Sequence, residues 1–360
     1  MQTRNKPLDI LRAFAILLVL GRHLDPYQGK HLLFKKILNL WQEGGWIGVD
    51  LFFVLSGFLI AGLLFKEHIK TGQISYRNFF IRRALKIFPA YYFMMGLSIL
   101  ILSFFFTIPA STLFSDLFFM RDYFDGIWGH TWSLAVEEKF YLFLPVLFIL
   151  LTKFNKSKDS TFKYIPITFL IISIACLGFR IFNPFRTGYY NTYFFPFHLR
   201  FDSLFSGVFI SYLYHYHSLK FKATIKQLRI PFLMIGLLFL SPAFLFSLDL
   251  TPFLSTVGFT LFYLGSGLIL SAVIDDVLKP NLLTNSLAYL GSHSYSIYLW
   301  FIPIKTGLVY LFMYILPNGS LTWPNFAITY LVASIGIGIT MSKAIEFPIL
   351  KLRNQFYPSS

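Results

Sequence analysis

Arg12 and His23 both lie inside the first apolar run of the chain, LDILRAFAILLVLGRHL. An ionisable side chain in hydrocarbon is costly enough to mark a functional site by default. Eleven residues at ~100° each return to within ~20° of the starting direction, three turns and ~16 Å along a helix. The two side chains therefore share one helix face, and Asp9, one turn before Arg12, can serve as its counter-ion. A snorkelling arginine and a capping histidine would explain each residue alone, but neither has any need of the other's alignment. A histidine so placed can take a proton from a hydroxyl. The arginine can hold an anion or stabilise a developing oxyanion.

Further candidates stand at the edges of other apolar runs. Asp50 opens GVDLFFVLSGFLI, and Glu137 and Glu138 follow Trp132 and Ser133 in HTWSLAVEEKFYLFLP. Arg180, Arg200, Asp202 and His130 fall at similar edges, where ordinary interfacial placement explains Arg180 or His130 taken alone. Consecutive carboxylates at the entrance of a membrane span are costly without a function. A second group is basic: Arg82, Arg83 and Lys86 in RRALKIFPAYY can hold phosphates, or serve only as a topology signal or a contact for anionic lipid. Glu346 can pair with that cluster or cap a helix. His68, His215 and His217 are expected in solvent and His293 at an interface, while Gly57 suits a close helix approach.

The elements that must position these residues are membrane helices. Of 360 residues, 56% are hydrophobic, 20% aromatic and only 13% charged, which rules out an ordinary soluble protein. Apolar runs of the length a span requires centre on 8–25, 46–65, 88–106, 137–152, 164–182, 199–214, 230–248, 254–274, 287–316 and 325–349. The expected fold is an all-α polytopic membrane bundle of about ten helices, one domain over residues 1–360. The formal charge of +15 is spread as topology rather than as a nucleic-acid surface. With the N-terminus inside, every inner segment carries positive charge, from Arg4 and Lys6 through Lys156 and Lys158 to Arg353. The outer loops hold only Lys30, Lys35, Lys36, Arg121 and Arg186. The positive-inside rule then puts both termini in the cytoplasm. His23, Asp50, Glu137 and Glu138 fall in an outer layer, while Arg82, Arg83 and Lys86 fall in an inner one. Cys176 is the lone cysteine, so no intramolecular disulfide is expected. The first run holds Arg12, Arg22 and His23 and lacks a small-x-small cleavage site, so it reads as a retained helix.

Taken together, LDILRAFAILLVLGRH, GVDLFFVLSGFLI, RRALKIFPAYY, TWSLAVEEKFYLFLP, RFDSLFSGV, SYSIYLW and IEFP resemble, in this order, the motifs of the acyltransferase family 3 proteins. These are integral membrane acyltransferases that modify sugars and lipids, and the resemblance runs from Leu8 to about Pro348. It implies that Arg12 and His23 form the Arg-x10-His signature and are both essential. It also implies that Trp132, Ser133 and Glu137, with Glu138 beside them, form the WSLxxE motif. The family's RxxR motif falls on Arg83 and Lys86, where lysine keeps the charge and loses the bidentate fork. A histidine often following SYSxYLW is Phe301 here, and the extracellular domain of some larger relatives has no counterpart after the last span.

The resemblance implies a membrane O-acyltransferase of the bacterial inner membrane. Its donor would be cytoplasmic acyl-CoA, most often acetyl-CoA, and its acceptor a hydroxyl of a carbohydrate or lipid-linked sugar on the outer side. His23 would be the base, with Glu137 or Asp50 orienting its ring; no metal is required. A secondary transporter or flippase of a glycan or lipid intermediate would also bury charge at mid-depth. It would show paired half-sequences or broken helices at matching positions, and Arg12 and His23 have no such counterpart in the second half.

Overall fold

The computed structural model describes residues 5–27, 29–154, 161–183, 190–276, 278–315 and 322–358. Arg4, Lys156, Lys158 and Arg186, which contribute to the charge argument, lie outside the described residues. Within them the chain is helical and without strands. Helices α1 (Lys6–Arg22), α2 (Leu32–Gly44), α3 (Ile47–Thr71), α4 (Tyr76–Leu102) and α5 (Ala110–Leu117) come first. Next are α6 (Trp132–Phe154), α7 (Ile165–Phe182), α8 (Tyr190–Tyr193), α9 (Phe197–Tyr216), α10 (Ser218–Leu240) and α11 (Pro242–Leu245). The remainder are α12 (Phe259–Val273), α13 (Leu282–Ser292), α14 (Ser294–Tyr310), α15 (Trp323–Met341) and α16 (Phe347–Phe356).

Each of the ten expected apolar runs falls mainly on helix, the run at 287–316 on two helices. Among the described residues, seven helical stretches are long and apolar enough to cross a membrane. The other three runs are α1, α6 and α9, with 17, 23 and 20 residues. They carry Arg12, Glu137, Glu138, Arg200 and Asp202. Backbone groups in hydrocarbon must pair within their own segment, so a bundle of helices is the structure these runs can form.

Four features differ from the sequence reading. Residues Leu32–Gly44, expected as loop, form a helix whose Leu33, Phe34 and Ile37 are exposed. Trp41 ties it to α1 by donating from Nε1 to Leu17 O at 2.9 Å. Such a helix suits a membrane surface rather than a span. The run at 287–316 is broken at His293, where α13 ends and α14 begins; Asn281 and Thr284 form a capping box that starts α13. Arg82, Arg83 and Lys86 lie within α4, which begins at Tyr76, rather than in a loop ahead of it. His68, expected in solvent, is buried and shares a 3.1 Å hydrogen bond with the Tyr216 hydroxyl.

The core is the α3–α9 pair. A Cβ at Gly57 would stand 1.8 Å from Leu204 O, so only glycine lets the two backbones meet there. An ion pair from Arg200 Nη2 to Asp50 Oδ1 at 2.7 Å reinforces the contact, and a second, from Arg180 Nη2 to Asp202 Oδ2 at 2.6 Å, ties α7 to α9. All four side chains are fully buried, and the Arg200 guanidinium lies 3.9 Å from the Phe259 ring centroid.

Candidate active site

A cavity of about 740 Å³ enters the bundle between α1, α3, α4, α6, α14 and α16. Exposed Lys66 and Pro358 stand at one end of it, and buried Ser133 and Tyr298 line the other. Its walls bring together residues that are hundreds of positions apart. Arg12 comes from α1, Arg82, Arg83 and Lys86 from α4, Glu137 from α6 and Arg353 from α16. The lining holds six cations, the five just named plus Lys66, against three carboxylates, Asp9, Glu67 and Glu137. An excess of three positive charges in a concave, largely apolar wall makes an anion site.

The cations are held in different ways. Arg12 donates from Nη1 to buried Asp9 at 2.7 Å, the one-turn pairing expected from the sequence. Arg83 lies over the Tyr141 ring, 3.7 Å from its centroid, with Nη2 3.5 Å from Glu137 Oε2. Glu137 is fixed in turn by the Ser56 hydroxyl at 2.9 Å and the Tyr141 hydroxyl at 2.6 Å. Arg82 donates to Tyr357 O and so ties the chain's last residues to α4. Lys86 makes no hydrogen bond or ion pair among the described residues; Arg83, Arg12 and Arg353 repel its charge, and only Glu346 among the nearby charges attracts it. A phosphate would relieve that crowding. Glu138 faces the same region from α6, its Oε1 buried and without a hydrogen-bond partner among the described residues.

His23 is not part of the cavity lining. It caps the end of α1, with Nδ1 donating to Val19 O at 2.9 Å, which leaves Nε2 as the basic nitrogen. Lys305 Nζ anchors the same turn through His23 O at 2.6 Å and Asp25 at 2.8 Å. The expectation that Asp50 or Glu137 orients the imidazole is corrected here. Asp50 is bound to Arg200 and Glu137 to Ser56, Tyr141 and Arg83, so the ring is set by a backbone carbonyl instead.

Tyr298 lines the cavity. Its hydroxyl donates to His130 O at 2.8 Å and accepts from Ser133 at 2.6 Å. Behind it Phe301 packs edge-on against both His23 and His130, at centroid distances of 4.8 and 5.0 Å. His130 donates from Nε2 to Leu299 O at 3.1 Å, and its buried Nδ1 has no partner among the described residues. From the sequence His130 taken alone reads as interfacial, Arg353 as a topology charge, and Tyr298 only as part of the SYSIYLW motif. Their neighbourhood arises from helices far apart in the chain, and no local spacing signals it. Phe301 is the aromatic wall between the two imidazoles.

Comparison with known proteins points the same way as the motifs. The O-acetyltransferase OatA of Staphylococcus aureus (strain NCTC 8325 / PS 47) is 28% identical over 320 residues, covering 82% of this chain and 50% of that protein. The "Putative O-acetyltransferase SACOL0978" of S. aureus (strain COL) is 29% identical over 319 residues, covering 81% of this chain and 49% of that protein. The chain thus spans about half the length of the curated relatives it matches. No solved structure matches it. The family described as "Acyltransferase domain" matches residues 5–343, nearly the whole chain, and the chain belongs to that family.

Proposed function

We propose that the chain is a membrane O-acyltransferase that takes an acyl group, in the first instance acetyl, from acyl-CoA. It passes that group to a hydroxyl of a carbohydrate or lipid-linked sugar on the other side of the bilayer. The observation that carries this reading is the cation-lined cavity reaching Ser133 and Tyr298. Coenzyme A offers a polyanionic head and a long uncharged arm ending in a thioester. A cavity with its cations toward an exposed mouth and uncharged residues at its depth fits that shape. The positive-inside asymmetry puts the basic end in the cytoplasm, with ten spans and both termini there. The relatives' names give the acetyl group and the oxygen acceptor, and their source suggests a bacterial plasma membrane.

In this reading Arg82, Arg83, Lys86 and Arg353 hold the phosphates. Arg12, three turns from His23, guides the donor's arm rather than meeting the oxyanion at the outer end. The acceptor hydroxyl gives its proton to His23 Nε2 as its oxygen attacks the thioester carbonyl. The carbon–sulfur bond then breaks, and the imidazolium returns the proton to the departing coenzyme A thiolate. Glu137 keeps Arg83 in place, and Glu138 lies within electrostatic reach of the same guanidinium. Asp50 acts at a distance, through the buried pair that fixes α3 against α9. The test is donor affinity. Alanine at both Arg82 and Arg83 should raise the apparent KM for acyl-CoA with a milder effect on kcat. Each lost charge-assisted hydrogen bond is worth about 1.5–3 kcal/mol. Unchanged donor affinity would demote the cluster to a topology signal.

A further inference from the structure

A second cavity, of about 620 Å³, lies on the other side of α9, between α7, α9, α10 and α12. Its walls are apolar, with Phe169, Phe209, Phe232, Phe239, Tyr263 and Leu264. Its polar and charged residues are concentrated at the beginning of α10, where His217, Lys220 and Thr224 line it. The groove exists because α10 packs along α12 and meets α9 only sparsely. Leu228, at φ −107° and ψ 18°, breaks the helical path three residues before Pro231, so the two parts of α10 run in different directions. From Ser206 on α9 to His217, at the turn into α10, the lining covers eleven residues, ~16 Å at the helical rise. That is about half of a ~30 Å hydrocarbon core, the depth of one leaflet.

The charge at the mouth is equally specific. The first turns of α10 carry Lys220, Lys222, Lys226 and Arg229. Asp275 pairs with Lys222 and Asp276 with Arg229, while Lys220 and Lys226 have no ion-pair partner among the described residues. We infer that this groove binds an anionic glycerophospholipid of the leaflet at the basic end. One acyl chain lies between α9 and α10, and the phosphate sits at Lys220. The bound chain fills the space that a direct α9–α10 contact would otherwise occupy. This site is separate from the acyl-donor cavity and does not depend on the acyltransferase reading.

Native mass spectrometry of the detergent-purified protein, titrated with phosphatidylglycerol or phosphatidylcholine of equal chain length, tests the inference. Wild type should retain phosphatidylglycerol in preference to phosphatidylcholine. Lys220→Glu should abolish that preference, by roughly 30-fold on a scale of about fivefold per charge near the headgroups. Leu264→Trp, which fills the groove from its exposed side, should weaken both lipids alike. Lys220→Gln, expected to lose about fivefold, keeps the test open if the charge reversal does not purify as a monodisperse protein. Equal retention of the two lipids by wild type would overturn the site. So would binding that none of these substitutions changes, or displacement by glycerol phosphate at the same concentration as intact lipid.

Discussion

His23 presents Nε2 as a base because Val19 O takes the proton on Nδ1, and the same turn is pinned by Lys305. A base in that position contributes typically ~10²–10⁴-fold, whereas a helix-end histidine of structural value alone contributes almost nothing to rate. Arg12→Lys should also fail in transfer assays, because a compact ammonium cannot hold Asp9 and a donor group with the same planar fork. Asp50→Asn behaves differently in this account. It leaves the fully buried Arg200 without its ion-pair partner, and breaking such a pair costs about 3–5 kcal/mol. Thermal unfolding in detergent should show that loss as a lowered midpoint, with donor affinity in the surviving folded protein unchanged. A stable, monodisperse Asp50→Asn protein devoid of activity would instead give Asp50 a direct part in catalysis. The Arg12–Asp9 pair and the candidate status of Glu137 were legible from spacing and motif. The partners of Asp50 and Glu137 were not, because Arg200 is 150 positions and Ser56 81 positions from the residue it binds.

Helix α3 is the most buried of the seven apolar stretches, and its approach to α9 depends on Gly57. Gly57→Leu would drive a side chain into the Leu204 carbonyl. Backbone cannot yield as a flexible side chain can, so the helices must separate. Size-exclusion chromatography of the purified variant should show little monodisperse protein, while Gly96→Ala on α4, where an added Cβ meets nothing, should be silent. Ten apolar runs in the sequence became helices because backbone pairing in hydrocarbon leaves no alternative to a long apolar segment. Helix α2 escaped notice because an interfacial helix needs only one apolar face and no 20-residue run. The break at His293 escaped for another reason. The apolar pattern continues through it, and the change of direction is set by the packing of α13 on α1, where Gly291 meets Asp9 O.

At the scale of the molecule, a cation-lined cavity and a pair of imidazoles outside its lining form two chemically distinct regions. Tyr298, which lines the cavity, donates to His130 O. Reporter fusions should place Lys226 in the cytoplasm and Ile108 outside; an external Lys226 would reverse that orientation. The central claim is that His23 completes acyl transfer to an exterior hydroxyl. It is tested most directly by mass spectrometry of surface glycans and lipids from a deletion strain carrying either wild type or His23→Ala. The account predicts that wild type restores a base-labile acyl ester missing from the deletion strain. The inserted His23→Ala protein, with acyl-CoA binding intact, should leave that ester absent. Restoration of the ester by His23→Ala to near wild-type levels would contradict it.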